Sequence, residues 1–235
     1  MKTIGLLGGM SWESTVSYYR TINRVVGARL GGLHSARIVL YSVEFHEIEK
    51  LQRAGRWTEA GEILADAAQR LERAGAECLV VCANTMHKVA PRIEEAIAIP
   101  LLHIADVTAK RVRAVGMKRV GLLGTRYTME DAFYRDRLEA RHGLEVRTPA
   151  PADRETIHRV IFEELCRGEI RDESRAEYRR IIQDLVRDGA EGVVLGCTEI
   201  SLLLGPDDVN VPLFDTGAIH AEEAALSALG EGGAT

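Results

Sequence analysis

Cysteine is scarce in this 235-residue sequence: Cys78, Cys82, Cys166 and Cys197 are its only four. Their spacing fits neither a zinc ribbon nor a zinc finger, so no metal site is expected. Long apolar runs are missing too. No stretch approaches the ~18 apolar residues of a membrane helix. The opening run Lys2-Thr3-Ile4-Gly5-Leu6-Leu7 is cut by Gly8-Gly9 and then Glu13, too short for a signal-peptide core. A cytoplasmic protein with reduced thiols is expected, with no membrane partner. An excess of positive charge is also absent: 30 basic against 35 acidic residues, net charge -5. That balance leaves no electrostatic footprint for nucleic acid. Finally, the first glycine turn reads Gly5-x-x-Gly8-Gly9 and not G-x-G-x-x-G, so a nucleotide cofactor is not expected. With 46% hydrophobic and 28% charged residues, what remains is an ordinary globular chain.

What is present is an internal repeat. Gly75-Ala-Glu-Cys-Leu-Val-Val-Cys-Ala-Asn-Thr85 aligns without a gap on Gly189-Ala-Glu-Gly-Val-Val-Leu-Gly-Cys-Thr-Glu199, at an offset of 114. Gly75 matches Gly189, Glu77 matches Glu191, and Ala83 matches Cys197. Around it, Thr3–Gly9 is echoed by Arg119–Thr125, and Ile99–His103 by Val211–Asp215. A repeat of this period governs the reading of the whole fold.

Short apolar strands alternate with helical stretches. Strands are predicted at 2–7, 36–43, 78–82, 99–103, 119–124, 144–148, 192–196 and 211–215. Helices are predicted at 13–28, capped by Ser11, at 57–73 with Ile63, Leu64, Ala67, Ala68 and Leu71 facing inward, after Pro91, and at 130–142, 153–167 and 174–188. Residues 44–55 read as a polar loop or short helix. The Gly-rich tail after Leu229 reads as disordered.

This alternation means parallel βαβ units. The expected fold class is α/β, with two pseudo-symmetric domains, each a parallel sheet flanked by helices. The first domain covers 1–104, completed by 214–235, and the second covers 105–213. Ligands of such sheets bind beyond the carboxyl ends of the strands. Residues 8–11, 83–85, 125–128 and 197–199 all fall there, and domains facing each other would bring them to one cleft.

Cys78, Cys82 and Cys166 read as small buried hydrophobes. Cys197 stands where a strand gives way to a helix, so nearby N–H groups are expected to depress its pKa and make it a proton acceptor. Asn84, Thr85 and Thr198 offer amide, hydroxyl and backbone donors for the carboxylate of a small acid. His87 reads as a spare acid or a packing residue. Glu77 and Glu191 read as structural, and the matched pair His103 and Asp215 is open.

Four motifs occur in order along nearly the whole chain. They are Gly8-Gly9-Met10-Ser11-Trp12-Glu13-Ser14-Thr15, Asn84-Thr85-Met86-His87-Lys88, Leu123-Gly124-Thr125-Arg126-Tyr127-Thr128-Met129 and Gly196-Cys197-Thr198-Glu199. Together they resemble the aspartate/glutamate racemase family, in its broad-specificity or L-aspartate/glutamate-specific branch. The resemblance implies a cofactor-independent racemase of two pseudo-symmetric α/β domains, usually a homodimer, acting on a small-molecule amino acid. Two cysteines flank the α-carbon in that family. Carried over, Cys197 and position 83 are catalytic, and Met10, Gln52, Ala83, Asn84, Thr85, Thr198 and Glu199 bind substrate.

Position 83 departs from the pattern, because alanine has no proton to give. Cys82 is one residue off, and in a strand it points to the opposite face. A second departure is Cys166, which falls where some aspartate racemases place a lysine for the distal carboxylate; Gln52, Arg53, Lys88 and Arg167 are the other candidates for that contact. Three functions therefore compete: an amino-acid racemase, a one-thiol decarboxylase or isomerase resembling the arylmalonate decarboxylases, and an impaired racemase that only binds amino acids.

Overall fold

The structure, a computed structural model, describes residues 1–231. Of the Gly-rich tail expected to be disordered, residues 232–235 lie outside the described residues, while Gly230 and Glu231 are tied to the last helix by N–H bonds to the Ser227 and Leu226 carbonyls at 3.1 and 2.9 Å. The chain divides into two units. One comprises Met1–Ile104 and the segment from His220 onward, the other Ala105–Ile219.

In the first unit, β1 (Ile4–Gly8), β2 (Ile38–Ser42), β3 (Cys78–Val81) and β4 (Leu101–Leu102) form a parallel sheet in the order β2-β1-β3-β4. Every residue of β1 and β3 is buried. This is why both read as unbroken apolar runs, as strands covered on both faces do. The helices are α1 (Trp12–Leu30), α2 (Phe45–Arg53), α3 (Trp57–Arg73) and α4 (Ala90–Glu94). Ala60, Leu64, Ala67, Ala68 and Leu71 of α3 pack on one face of the sheet, with Leu7, Leu79 and Val81. Ile63, expected on that face, is exposed, one residue off the helical stripe.

In the second unit, β5 (Arg119–Gly124), β6 (Glu145–Arg147), β7 (Gly192–Gly196) and β8 (Leu213–Asp215) repeat the plan as β6-β5-β7-β8. Its helices are α5 (Ile104–Ala114), α6 (Arg126–Glu130), α7 (Ala132–Asp136), α8 (Pro151–Glu163), α9 (Asp172–Arg187) and α10 (Ile200–Leu203). Strand β8 pairs with β7 in this sheet, so the chain returns to the first unit at His220 and not at residue 214. The last helix, α11 (Thr216–Leu229), lays Ala221, Ala224, Ala225 and Ala228 against Ile4, Leu6, Tyr18 and Ile22.

The helix expected over 130–142 is broken into α6, α7 and a π turn at Arg137–Arg141. Asp131 is the reason: its ψ of 146° is extended and interrupts the helical ladder. Glu77 and Glu191 are structural pins. Glu77 accepts from the Thr3 N–H at 2.7 Å, and Glu191 from the Lys118 and Arg119 N–H groups at 2.8 and 2.9 Å. Each carboxylate ties the start of one central strand to the start of its neighbour.

Candidate active site

In the first unit the site residues collect at the carboxyl ends of β1 and β3. After Gly8 the chain turns at Gly9, whose φ of +91° and whose ideal Cβ position, 2.3 Å from the Val43 carbonyl, both demand glycine. The Gly9 N–H donates to the Thr15 hydroxyl at 2.9 Å, and that hydroxyl donates to the Ser11 carbonyl at 3.0 Å. Ser11 occupies the cap position, but its side chain makes no capping bond; Thr15 does the stitching. This turn seats Met10, which is buried in one cluster with Leu7, Ile48, Ala83 and Met86. Gln52 is buried as well, with its Nε2 2.9 Å from the Met86 sulfur.

After β3 the chain runs through Cys82, Ala83 and Asn84 into a 3-10 turn, Thr85–Val89. Cys82 and Ala83 part company. Ala83 faces the Met10–Met86 cluster, whereas Cys82 is packed with Ile4, Leu6, Tyr18 and Val80. Complete burial pushes the Cys82 thiol far above its usual range. Alternation along the strand puts the two side chains on opposite faces, so Cys82 does not stand in for residue 83.

His87 closes this loop. Its Nδ1 lies 2.7 Å from the Ala83 carbonyl, and its Nε2 accepts from the Ile104 N–H at 3.3 Å. The His103 ring lies 4.5 Å away and the His220 ring 5.8 Å away, centroid to centroid. His220 in turn bonds the Tyr18 hydroxyl at 2.9 Å and the Leu102 carbonyl at 2.8 Å. The sequence carried no spacing signal for this cluster, since residues 18, 87, 103 and 220 come from four separate segments. Asp215, the repeat partner of His103, accepts from the Ala218 N–H at 3.0 Å at the start of α11. Of the candidate cations, Lys88 sits over the Trp57 ring at 4.0 Å. Arg53 is exposed and pairs with Glu49, and Arg167 is exposed.

The second unit builds the matching place around Gly196, which pairs with Gly124 across β5 and β7. A Cβ on Gly196 would stand 2.9 Å from the Leu123 carbonyl and 3.0 Å from the Thr128 methyl. Cys197 follows, 8% exposed. Its Sγ donates to Glu199 Oε2 at 3.0 Å, and the Thr198 hydroxyl donates to the same oxygen at 2.9 Å. Gly217 makes room for the Thr198 methyl, since a Cβ there would fall 2.7 Å from it. Glu199 itself is buried.

This arrangement corrects the expected depression of the Cys197 pKa. Burial, and after it the Glu199 carboxylate, hold the thiol well above its ordinary value. The backbone N–H of Glu199 does act in the expected direction. It is outweighed by burial first and then by the carboxylate in contact with the sulfur. Cys197 therefore rests as a thiol hydrogen-bonded to a carboxylate. Cys166, on the 3-10 turn Leu165–Arg167, packs against the cluster that contains Cys197. Burial and the Glu199 charge raise its thiol too. Among the described residues, no group of three or more His, Cys, Asp or Glu is arranged to hold a metal ion, and no helix is long and apolar enough to cross a membrane.

Comparison with known proteins covers almost the whole chain. A family model described as Asp/Glu/Hydantoin racemase matches residues 7–224. The broad specificity amino-acid racemase RacX of Bacillus subtilis is 23% identical over 232 residues, 93% of this chain and 95% of the relative. Among solved structures, a Yersinia pestis protein named as a candidate Asp/Glu racemase is 58% identical with a TM-score of 0.91, covering 97% of this chain and 100% of its own. An aspartate racemase homologue from Pyrococcus horikoshii OT3 is 35% identical with a TM-score of 0.84, again over 97% and 100%.

Proposed function

This chain belongs to the Asp/Glu/hydantoin racemase family, and from that premise we propose that it moves a proton at the α-carbon of an amino acid without a cofactor, with Cys197 as the acid/base group. The observation that carries this reading is the buried Cys197–Glu199 pair at 3.0 Å. A thiol in contact with a carboxylate has both partners of a proton transfer in place. Glu199 takes the thiol proton, leaving Cys197 thiolate and a neutral Glu199. The thiolate then removes the α-hydrogen, leaving a carbanion delocalised into the substrate carboxylate. Return of a proton from Cys197 regenerates the same enantiomer, and return from the opposite face gives the mirror image.

In this reading each repeat triplet offers donors suited to the carboxylate of the substrate. Asn84, Thr85 and Thr198 hold its carboxylate with N–H and hydroxyl donors, which stabilise charge as it grows beside the deprotonated carbon. Met10 offers its backbone, and Gln52 the side-chain contact. Ala83 faces the substrate without a proton of its own, so water supplies the second face. Turnover to the mirror image is then the slow step. Aspartate, glutamate and the wider range suggested by the broad-specificity relative are the substrate class. An isologous homodimer is part of the proposal: Trp12, Val16 and Tyr19 form an exposed row along α1. Glu13 and Arg20 flank that row at helical spacing, so the face is complementary in charge to an antiparallel copy of itself.

The test is proton exchange in D2O. Cα–H exchange of L-aspartate, L-glutamate and a panel of neutral amino acids is followed by NMR, and racemisation by chiral chromatography. Exchange faster than racemisation supports the reading; no exchange of any amino acid at high protein concentration rejects it. One observation favours the decarboxylase alternative, namely that Cys197 rests as a thiol with no donor at position 83. Loss of CO2 from a disubstituted malonate generates an enolate without a base, and one thiol suffices to protonate it. Release of CO2 from such a malonate, without amino-acid exchange, would select that reading.

A further inference from the structure

We propose that His87 is a positioning residue that holds the Ala83–Asn84 peptide in place and so aims the Asn84 N–H. A carbonyl only accepts hydrogen bonds, so the 2.7 Å contact with Ala83 puts the proton on Nδ1 of His87. Nε2 accepts from the Ile104 N–H, so that nitrogen is bare. The ring is thus held neutral, in one tautomer, between two backbone groups.

The bond acts on a peptide plane. Among the described residues the cis peptide is Met10–Ser11, and Ala83–Asn84 is trans. In a trans peptide the C=O and N–H point in opposite directions. Anchoring the Ala83 carbonyl on His87 therefore fixes the peptide plane and points the Asn84 N–H from its opposite edge. The His87 backbone N–H also bonds the Asn84 carbonyl at 3.0 Å, so one residue grips the peptides on both sides of Asn84.

The surroundings keep the ring from moving or charging its neighbours. His103 and His220 pack on it, and His87, His103 and His220 are 2%, 5% and 0% exposed. The His220 Nε2–H donates to the Leu102 carbonyl and its Nδ1 accepts from the Tyr18 hydroxyl. Burial pushes His220 down to about 3, so it is a neutral wall at working pH. The repeat provides an independent parallel. The residue matching His87 in the second unit is Ser201, whose hydroxyl donates to the Thr198 carbonyl at 3.0 Å. In both units a side chain four residues after the repeated Ala83/Cys197 position clamps a carbonyl of that triplet, with an imidazole in one and a hydroxyl in the other.

The consequence for function rests on the reading that Asn84 and Thr85 bind the substrate carboxylate. The test separates the two ring nitrogens and has one arm that needs no activity. In H87N the amide NH2 replaces the Nδ1–H donor toward Ala83; in H87Q the longer side chain replaces the acceptor for Ile104; H87A removes both. Without substrate, the Asn84 amide resonance in a 15N–1H spectrum is expected to stay in place in H87N and to move in H87Q and H87A. In the exchange assay KM is expected to rise about tenfold in H87A and H87Q, as for loss of one hydrogen bond to a charged group, with a smaller change in kcat, and H87N is expected to restore KM. An Asn84 amide unmoved in H87A overturns the proposal. So does an H87Q that behaves like the parent while H87N does not, since that would make the Ile104 bond the one that matters. If H87A fails to fold, H87N against H87Q still decides. If the parent shows no exchange at all, the proposed activity fails while the resonance arm still tests the clamp.

Discussion

The carboxyl ends of β3 and β7 occupy the same place in two copies of one fold, and they are chemically unlike. At the end of β3, Ala83 lies in an apolar nest with Met10 and Met86, and the residue before it, Cys82, is buried on the other face. At the end of β7, Cys197 lies against a buried carboxylate, and the residue before it is Gly196, pressed against the neighbouring strand. On the reading proposed above, the first copy supplies the scaffold and the donors for a carboxylate, and the second supplies the proton chemistry. A duplicated fold thus holds its frame, the glutamate pins and glycine turns, under constraints that do not extend to the side chain aimed at the substrate.

The comparison breaks most sharply at Cys197. Cys197→Ala is expected to lower Cα–H exchange by about 100- to 10,000-fold, the usual worth of a positioned acid/base group. Exchange surviving near the parental rate would move the chemistry away from the second unit. Making the copies alike is the next largest effect. Ala83→Cys is expected to raise racemisation on the order of 100-fold, with a much smaller gain in exchange; equal gains in both would mean that position 83 does not face the second side of the α-carbon.

Glu199→Gln probes what the second copy has and the first lacks. The Glu199 charge raises the Cys197 pKa, so removing it lowers that pKa. Because Glu199 is also the proposed acceptor of the thiol proton, the variant is expected to exchange more slowly than the parent near neutral pH and to regain exchange as pH rises toward the lowered Cys197 pKa. Superimposable pH profiles would show that the sulfur does not feel the carboxylate.

The smallest effects concern the preceding residue. Gly196→Ala forces a methyl onto the Leu123 carbonyl and is expected to cost about 1–3 kcal/mol in urea unfolding. Cys82→Ala, at the matching place in the first copy, removes one buried sulfur and is expected to cost about 1 kcal/mol with exchange unchanged. A large loss of exchange in Cys82→Ala would make that thiol part of the site after all.

Much of the architecture could be read from the residues, because strands buried on both faces and helices with one apolar stripe leave different periodicities. The parallel sheets and the doubling of the fold followed from those periods and from the repeat. The failures have local causes. Asp131 breaks a helix that the pattern runs through, since a single extended ψ leaves no trace in hydrophobic spacing. Leu213–Asp215 stays with β7, a pairing that a three-residue strand does not announce. The proposed site was legible as contiguous stretches, Ala83-Asn84-Thr85 and Cys197-Thr198-Glu199, which the structure puts at the carboxyl ends of β3 and β7. The His87–His103–His220–Tyr18 cluster joins four distant segments and was not.

The sequence by itself determined the repeat, the α/β class and the asymmetry of Ala83 against Cys197, because these are matters of residue identity and period. Tertiary structure alone decided the protonation of Cys197. A thiol at a strand end can be pushed either way, by N–H groups toward thiolate or by burial and a carboxylate toward thiol. Here burial, and after it the Glu199 carboxylate folded back to 3.0 Å from the sulfur, outweigh the single backbone N–H.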